Sequence, residues 1–454
     1  MVCLFKNGKR IAGYHRQTTN HTAKMKYEYR HSSIDWIGTV PKHWRKEKVF
    51  RAAELITSGG TPKSGNEEYY EGDIYWIQSG DLNDSYITDT EKKITQEGLN
   101  NSSAKIFPAG TLLVAMYGAT IGKLGIQTME AATNQACCGI YPTKRIDLKF
   151  LFYFFHAIKD KYISDSYGGG QPNISQSVIK QTYFFVPPKP EQIAIANYLD
   201  KACADIDRVV EIKRKQMDNL QQQLKAQMSN LFTKGTNDKL KQTDSVVIPE
   251  IPEHWQLLKL KRVLEEKLKY GANESGDLDN PGDPRYIRIT DFDDDGSLRN
   301  DTFKSLPIEV AKDYLLSEGD ILFARSGATV GKTFIFKNYE GIACFAGYLI
   351  KAITLKYKML SEYLYYFTKT KMYEDWKNLI FTQATIQNIG ADKYQYLPVP
   401  VPPIAEQKEI LRKTELFNEK VKAAQSKIEK QIEIILNYKK SLIHEVVTGK
   451  KQVV

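Results

Sequence analysis

The segment Gly327-Ala-Thr-Val-Gly-Lys-Thr333 comes nearest to a phosphate-binding loop, in which glycines bring backbone N–H groups close to an anion and lysine adds charge. Such a loop needs four residues between its first glycine and the Gly-Lys pair, and here there are three. The next residues, Phe334-Ile-Phe-Lys, read as a strand and not as the helix whose N-terminus holds phosphate. A second copy, Gly118-Ala-Thr-Ile-Gly-Lys-Leu124, lacks the final hydroxyl residue. Nucleotide hydrolysis is not expected.

Other chemistries fail on spacing. No Asn-Pro-Pro-Tyr or Asp-Pro-Pro-Tyr adenine-methylation motif occurs, and Asp283-Pro-Arg-Tyr286 lacks the second proline. No G-x-G-x-x-G opens a helix, so an S-adenosylmethionine pocket is not expected in this chain. His43 and His254 stand in equivalent places beside Trp44 and Trp255, yet no further ligand recurs at metal-site spacing, so they are read as packing residues. Cys137 and Cys138 are adjacent, which suits a strand with a buried thiol and not one tetrahedral site. The carboxylates Asp291, Asp293, Asp294 and Asp295 lack an acidic-x-Lys partner in both copies, and Asp293-Asp-Asp-Gly296 reads as a solvated turn, so a nuclease centre is not expected either. The expectation is no catalytic residue, no metal ligand and no cofactor in this chain.

What remains must come from the elements that carry these residues. The 454 residues are 42% hydrophobic and 26% charged, which excludes a collagen-like or mostly disordered chain and allows several packed units. Sixty-four Lys and Arg against 54 Asp and Glu give a net charge of +10, a bias toward polyanions. Cysteines at 3, 137, 138, 203 and 344 form no disulfide framework, so a reducing compartment is expected. The most apolar run, Leu148 to Ile158, holds about half the roughly 20 residues of a membrane span and reads as a buried helix. With no signal-peptide pattern at the start, a cytoplasmic protein is expected.

The chain is an internal repeat displaced by roughly 209 to 215 residues. Ile37-Gly-Thr-Val-Pro-Lys-His-Trp44 answers Ile248-Pro-Glu-Ile-Pro-Glu-His-Trp255, and Gly72-Asp-Ile-Tyr-Trp-Ile-Gln-Ser-Gly-Asp81 answers Pro284-Arg-Tyr-Ile-Arg-Ile-Thr-Asp291. The two Gly-Ala-Thr strings come next, then Gly170-Gln-Pro-Asn-Ile-Ser175 and Thr382-Gln-Ala-Thr-Ile-Gln387. Last come Val186-Pro-Pro-Lys-Pro-Glu-Gln192 and Val401-Pro-Pro-Ile-Ala-Glu-Gln407.

After each Pro-Pro, roughly 40 to 45 residues carry no Gly or Pro and read as one helix, with Glu191 or Glu406 near its positive end. Leu199, Cys203, Ile206, Val210, Lys213, Met217, Leu220, Leu224, Gln227 and Leu231 step by fours and threes. Ile410, Thr414, Phe417, Val421, Ala424, Ile428, Gln431, Ile435, Tyr438 and Leu442 repeat the pattern. A helix of that length spans roughly 68 Å, too long to lie on one small lobe, so the pair is expected to form an antiparallel coiled coil. Such a frame, with basic Tyr-rich lobes, suits two DNA half-sites on one face of a duplex, about 34 to 36 Å apart per helical turn.

The twice-occurring order of P-x-H-W, a strand ending in Gly-Asp-Leu or Thr-Asp-Phe, Gly-Ala-Thr-Ile/Val-Gly-Lys, and V-P-P-x-x-E-Q resembles the specificity subunit of type I restriction-modification systems. The resemblance covers residues about 31 to 450. It implies an α+β fold with two pseudo-symmetric α/β target-recognition domains separated by two long helices in an antiparallel coiled coil. It also implies double-stranded DNA as ligand, one half of a bipartite asymmetric target per domain, with the coil as ruler. The implied partners are two methylation subunits carrying S-adenosylmethionine for adenine N6 methylation and, in the full complex, restriction subunits using ATP and Mg.

The boundaries so expected are a basic N-terminal extension 1–30, a first recognition domain 31–188, a central helix 189–233, a linker 234–245, a second recognition domain 246–403 and a C-terminal helix 404–450. DNA contacts are expected from polar residues beside glycine at strand ends, where the backbone approaches the groove. In the first lobe these are Gln78, Ser79, Tyr117, Lys123, Gln171 and Asn173, and in the second Arg288, Thr290, Arg325, Ser326, Lys332, Gln383 and Thr385. Arg suits guanine and Gln or Asn adenine, while a tight hairpin needing positive φ is the structural alternative at each glycine. A coiled-coil scaffold tethering two protein-binding lobes is the rival reading, and it predicts no steep salt dependence of DNA binding.

Overall fold

Each Pro-Pro ends a strand and opens a helix. Tyr183–Val186 runs into the helix Lys189–Lys234, and Pro398–Val401 runs into the helix Ile404–Val447. The computed structural model describes residues 27–166, 173–235, 239–293, 296, 298–382 and 388–453. The chain divides into two compact units, one of Met1–Val210 with Ile432–Val454 and one of Glu211–Gln431, so each unit holds one lobe, the start of one long helix and the end of the other.

In the first unit, Ala53–Ser58, Cys137–Pro142, Leu112–Ala115, Leu124–Gln127 and Ser85–Ile87 lie side by side in that order. Neighbours are antiparallel except the last pair, which is parallel. A second sheet places Tyr70–Ile77 parallel to Ala131–Thr133. The apolar run of the sequence is the helix Leu148–Ser166, whose Phe150, Leu151, Phe154, Phe155 and Ile158 are buried against the first sheet.

The second unit repeats this frame with shorter strands. Lys269–Tyr270, Leu349–Ala352, Ile321–Ala324 and Thr333–Ile335 form its main sheet, and Arg285–Ile287 pairs in parallel with Ala343–Phe345. The registers match: Val114 faces Leu124 and Cys138 in one lobe, and Phe323 faces Thr333 and Ile350 in the other. The single helix of the first lobe is here two, Ser361–Phe367 and Lys371–Thr382.

Within each unit the long helices run antiparallel. In the first, Leu199 and Cys203 near a helix start share a core with Leu442 and Ile443 near a helix end, and Lys439 bonds Asp207 at 2.7 Å. In the second, Phe232 near one end packs with Ile410 near the other start, and Gln425 bonds Gln221 at 3.3 Å. Of the expected seam, Leu199, Val210, Leu224, Ile428 and Leu442 are buried, while Ile206, Met217, Leu220, Phe417, Val421 and Ile435 are partly buried. Gln227, Gln431 and Tyr438 are exposed, and Met228 is buried in place of Gln227. The heptad spacing slips there because Phe232 turns into the core of the second lobe and draws the last turns of its helix with it.

Two expected boundaries move. Tyr29–His31, at the end of the expected extension, pairs with Thr39–Pro41, and Leu240–Gln242, inside the expected linker, pairs with Glu250–Pro252. The last residues of the extension therefore have a counterpart, and both segments close the edge of a lobe. Their backbone groups would otherwise lie unpaired beside the buried Val40 and Ile251. No helix among the described residues is long and apolar enough to cross a membrane.

Candidate nucleic-acid interface

The P-x-H-W and E-Q landmarks meet in space. Trp44 is buried, and its indole Nε1 donates to Glu191 Oε1 at 2.9 Å, while His43 Nε2 lies 2.9 Å from Oε2 and the Tyr27 hydroxyl donates at 2.5 Å. In the second unit Trp255 Nε1 donates to Glu406 Oε2 at 3.0 Å, and His254 Nε2 lies 2.7 Å from the same oxygen. An indole N–H inside a core needs an acceptor, and a carboxylate in a helix's first turn supplies one while favouring the helix dipole. Burial first, then the bond to Glu191, push the Tyr27 phenol above its usual range.

The neighbouring glutamines complete the joint. Gln192 accepts from Asp147 N and donates to Pro187 O, and Gln407 accepts from Leu360 N and donates to Pro402 O. Each dipeptide thus ties the opening of a long helix to its lobe. The histidines are hydrogen-bond partners of the glutamates at this joint, and among the described residues no group of three or more His, Cys, Asp or Glu is placed to hold a metal ion. Burial pushes the Cys138 thiol up to about 12, and Cys137 higher still.

The Gly-Ala-Thr strings are hairpin connections. In both, a short 3-10 turn, Gly118–Thr120 or Gly327–Thr329, joins two antiparallel strands of the main sheet. Gly118 and Gly122 have φ of 79° and 74°, and Gly327 and Gly331 of 76° and 82°, a region that L side chains rarely adopt. No helix follows, so the feature that makes a phosphate loop is missing here.

A chain of backbone hydrogen bonds then lines up the expected contact residues. In the first lobe Asn134 N donates to Ile77 O, Met116 N to Ala136 O, and Ile174 N to Met116 O. This places the segments carrying Gln78 and Ser79, Gln135, Tyr117 and Asn173 along one rim. The second lobe repeats it: Ala346 N donates to Ile287 O, Arg325 N to Tyr348 O, and Ile389 N to Arg325 O. Arg288 and Thr290, Tyr348, Arg325 with Ser326, and Asn388 line the second rim.

Side chains differ where the backbones agree. Met116 and Ala136 of the first rim are buried, whereas Arg325 of the second is partly exposed and Tyr348 is 64% exposed. The Arg325 guanidinium carbon lies 5.0 Å from the centre of the Tyr270 ring, within cation–π range. Burial, then the neighbouring Cys137, raise the Tyr117 phenol, which stays a neutral donor.

Not every expected residue is free to act. Arg288 donates to buried Asp291 and to Thr302 O, both at 2.9 Å, so its guanidinium is used inside the lobe. Gln78 N donates to Asp81 Oδ2 at 2.7 Å and Asp81 N donates to Gln78 O, and the residue is partly exposed. Lys123 and Lys332 follow the hairpin turns, where Ala115 N and Ala324 N donate to their carbonyls, and Lys332 lines a cleft. Gln171, Gln383 and Thr385 lie outside the described residues. Sequence reasoning missed Tyr348, Asn388 and Tyr270; the Gly347-Tyr348 pair at a strand start was the one available signal.

With fold and rims in place, comparison with known proteins is decisive for the family. The family model for the type I restriction modification DNA specificity domain matches twice, over residues 44–222 and 252–434. The chain belongs to this family and is a specificity subunit of a type I restriction-modification system with two recognition domains. It is 24% identical over 426 residues to the MjaVIII specificity subunit of Methanocaldococcus jannaschii, covering 91% of this chain and 94% of the relative. It is 28% identical over 319 residues to the MjaIX subunit of that organism, 68% and 71% of the two chains. A chain solved in a study of complex assembly and conformational transition of the type I R-M system shares the fold with a TM-score of 0.63 at 15% identity, over 91% of this chain and 99% of its own.

Proposed function

We propose that this chain reads a bipartite, asymmetric DNA target, one half-site per recognition domain, with the helices setting the spacer. The carrying observation is the duplicated rim: one backbone frame presents Tyr117 and Asn173 in one lobe and Arg325, Ser326 and Tyr348 in the other. Equal frames with unequal side chains suit two unequal half-sites. Arginine pairs with guanine edges and an exposed tyrosine stacks or packs on a thymine methyl group, whereas the first rim offers hydroxyl and amide groups.

The chain performs no chemical step in this reading. Two methylation subunits dock on the helices, bring S-adenosylmethionine and methylate adenine at N6, and restriction subunits with ATP and Mg make the complex a deoxyribonuclease in the cytoplasm. Exposed Ile193 and Val209 on one helix of the first unit, and Leu416 in the second, support docking there.

The test is co-expression with the cognate methylation subunit in a host lacking both, followed by mapping of N6-methyladenine. A split motif with a fixed unspecified spacer, absent without this chain, is expected. A folded complex that methylates nothing, or methylates without a motif, overturns the proposal in favour of a protein scaffold.

A further inference from the structure

In the second unit a cleft of about 950 Å³ lies between the lobe and the two helix segments Gln221–Met228 and Glu415–Lys422. Six lysines and three glutamates line it among the described residues. Lys369 sits in the break between the helices Ser361–Phe367 and Lys371–Thr382. Its ammonium donates to Thr333 O at 2.8 Å and lies 4.5 Å from the centre of the Tyr365 ring, and no carboxylate is within ion-pair distance of it among the described residues. Burial first, then the charges of Lys332 and Lys377, pull its pKa down to about 8. Lys377 lies beside it with its side chain 12% exposed, bonded to Glu374 at 2.8 Å. Lys225 and Lys422 line the cleft from the two long helices.

The first unit is built differently at the matching helix position. Counted from Glu191 and Glu406, Lys422 stands where Asp207 stands, and Asp207 bonds Lys439 at 2.7 Å. The second unit thus has a lysine lining its cleft at the helix position where the first has an aspartate paired with a lysine. Like charges crowded in a partly dry cleft repel one another, and an anion relieves that repulsion more than water does.

Resting on the DNA-reading function above, we infer that this cleft binds a phosphate of the duplex backbone beside the second half-site, held by Lys225, Lys369 and Lys422. The second lobe then carries an electrostatic anchor that positions the domain without reading bases.

The experiment uses the full chain with its methylation subunits and a duplex carrying the mapped motif, with affinity measured across a series of KCl concentrations. Lys225→Gln with Lys422→Gln changes only exposed helix positions; Lys369→Met is made separately, because it alters a partly buried site. Removing one lysine–phosphate pairing should lower the slope of log affinity against log salt by about 0.9. A fall of about that size or more in the double variant, with the bases of the motif unchanged, is the expected result. An unchanged slope in both variants, while the wild type still binds its motif, overturns the cleft and leaves the DNA-reading function standing. If the wild type shows no sequence-dependent affinity, that function itself fails. Inorganic phosphate and ATP are titrated in parallel; loss of their binding in the variants with an unchanged duplex slope assigns the cleft to a free anion and overturns the backbone contact.

Discussion

Glu191→Ala should destabilise the first unit more than Glu406→Ala destabilises the second. The Glu191 side chain is 10% exposed and accepts from Tyr27, Trp44 and His43, whereas that of Glu406 is 16% exposed and accepts from Trp255 and His254. A hydrogen bond to a charged group contributes about 1.5 to 3 kcal/mol, and a buried donor left unpaired costs about 1 to 3. Trp44 and Trp255 are 1% and 0% exposed, so each indole N–H is stranded when its acceptor is removed. The exposed histidines add little. These effects overlap, which gives about 3 to 5 kcal/mol for Glu191→Ala and about 2 to 4 for Glu406→Ala, while Glu→Gln, which keeps an acceptor, should cost about 1 to 2. The assay is urea unfolding followed by fluorine NMR of protein labelled with 5-fluorotryptophan, since Trp36, Trp44 and Trp76 report the first unit and Trp255 and Trp376 the second. The two units need not unfold together, so each is fitted by itself. A loss under about 1 kcal/mol in the unit that carries either Ala substitution would refute the joint as the reason for the P-x-H-W and E-Q landmarks.

Arg325→Ala should cost about 1 to 3 kcal/mol of discrimination at one position of the second half-site and leave the first half-site alone, read by methylation mapping. Gly327→Ala meets open space but keeps φ at 76°, so it should destabilise the second unit by about 1 to 2 kcal/mol, measured by urea unfolding. Lys369, faced by Lys332, Lys377, Glu374, Tyr365, Lys225 and Glu415, holds its proton less tightly folded than unfolded. Between pH of about 8 and the ordinary lysine value the unfolded chain therefore binds more protons, and stability should rise with pH in that window. The increment should vanish in Lys369→Met, and a wild type whose stability matches the variant at every pH contradicts the burial of this charge.

The repeat was legible because its landmarks are short-range: two prolines with Glu-Gln stop a strand and start a helix, and Gly-Ala-Thr-x-Gly-Lys makes a hairpin in either lobe. The helical seam was legible from its period until Phe232 turned it. The short edge strands Tyr29–His31 and Leu240–Gln242 were not, because three residues carry too little pattern to separate strand from loop. Arg288 carries a charge suited to a base edge, but only the fold shows that Asp291 holds it.

The sequence by itself determined the duplication and the two long helices, since these depend on residue order and local preference. Tertiary structure alone decided that His43 and His254 bond glutamates, and that Arg325 and Tyr348 share a rim. It also decided that Lys225, Lys369 and Lys422 meet in one cleft. Each of these pairings joins residues far apart in the chain, where no local propensity acts and only the packing of sheets and helices brings charges and donors within reach.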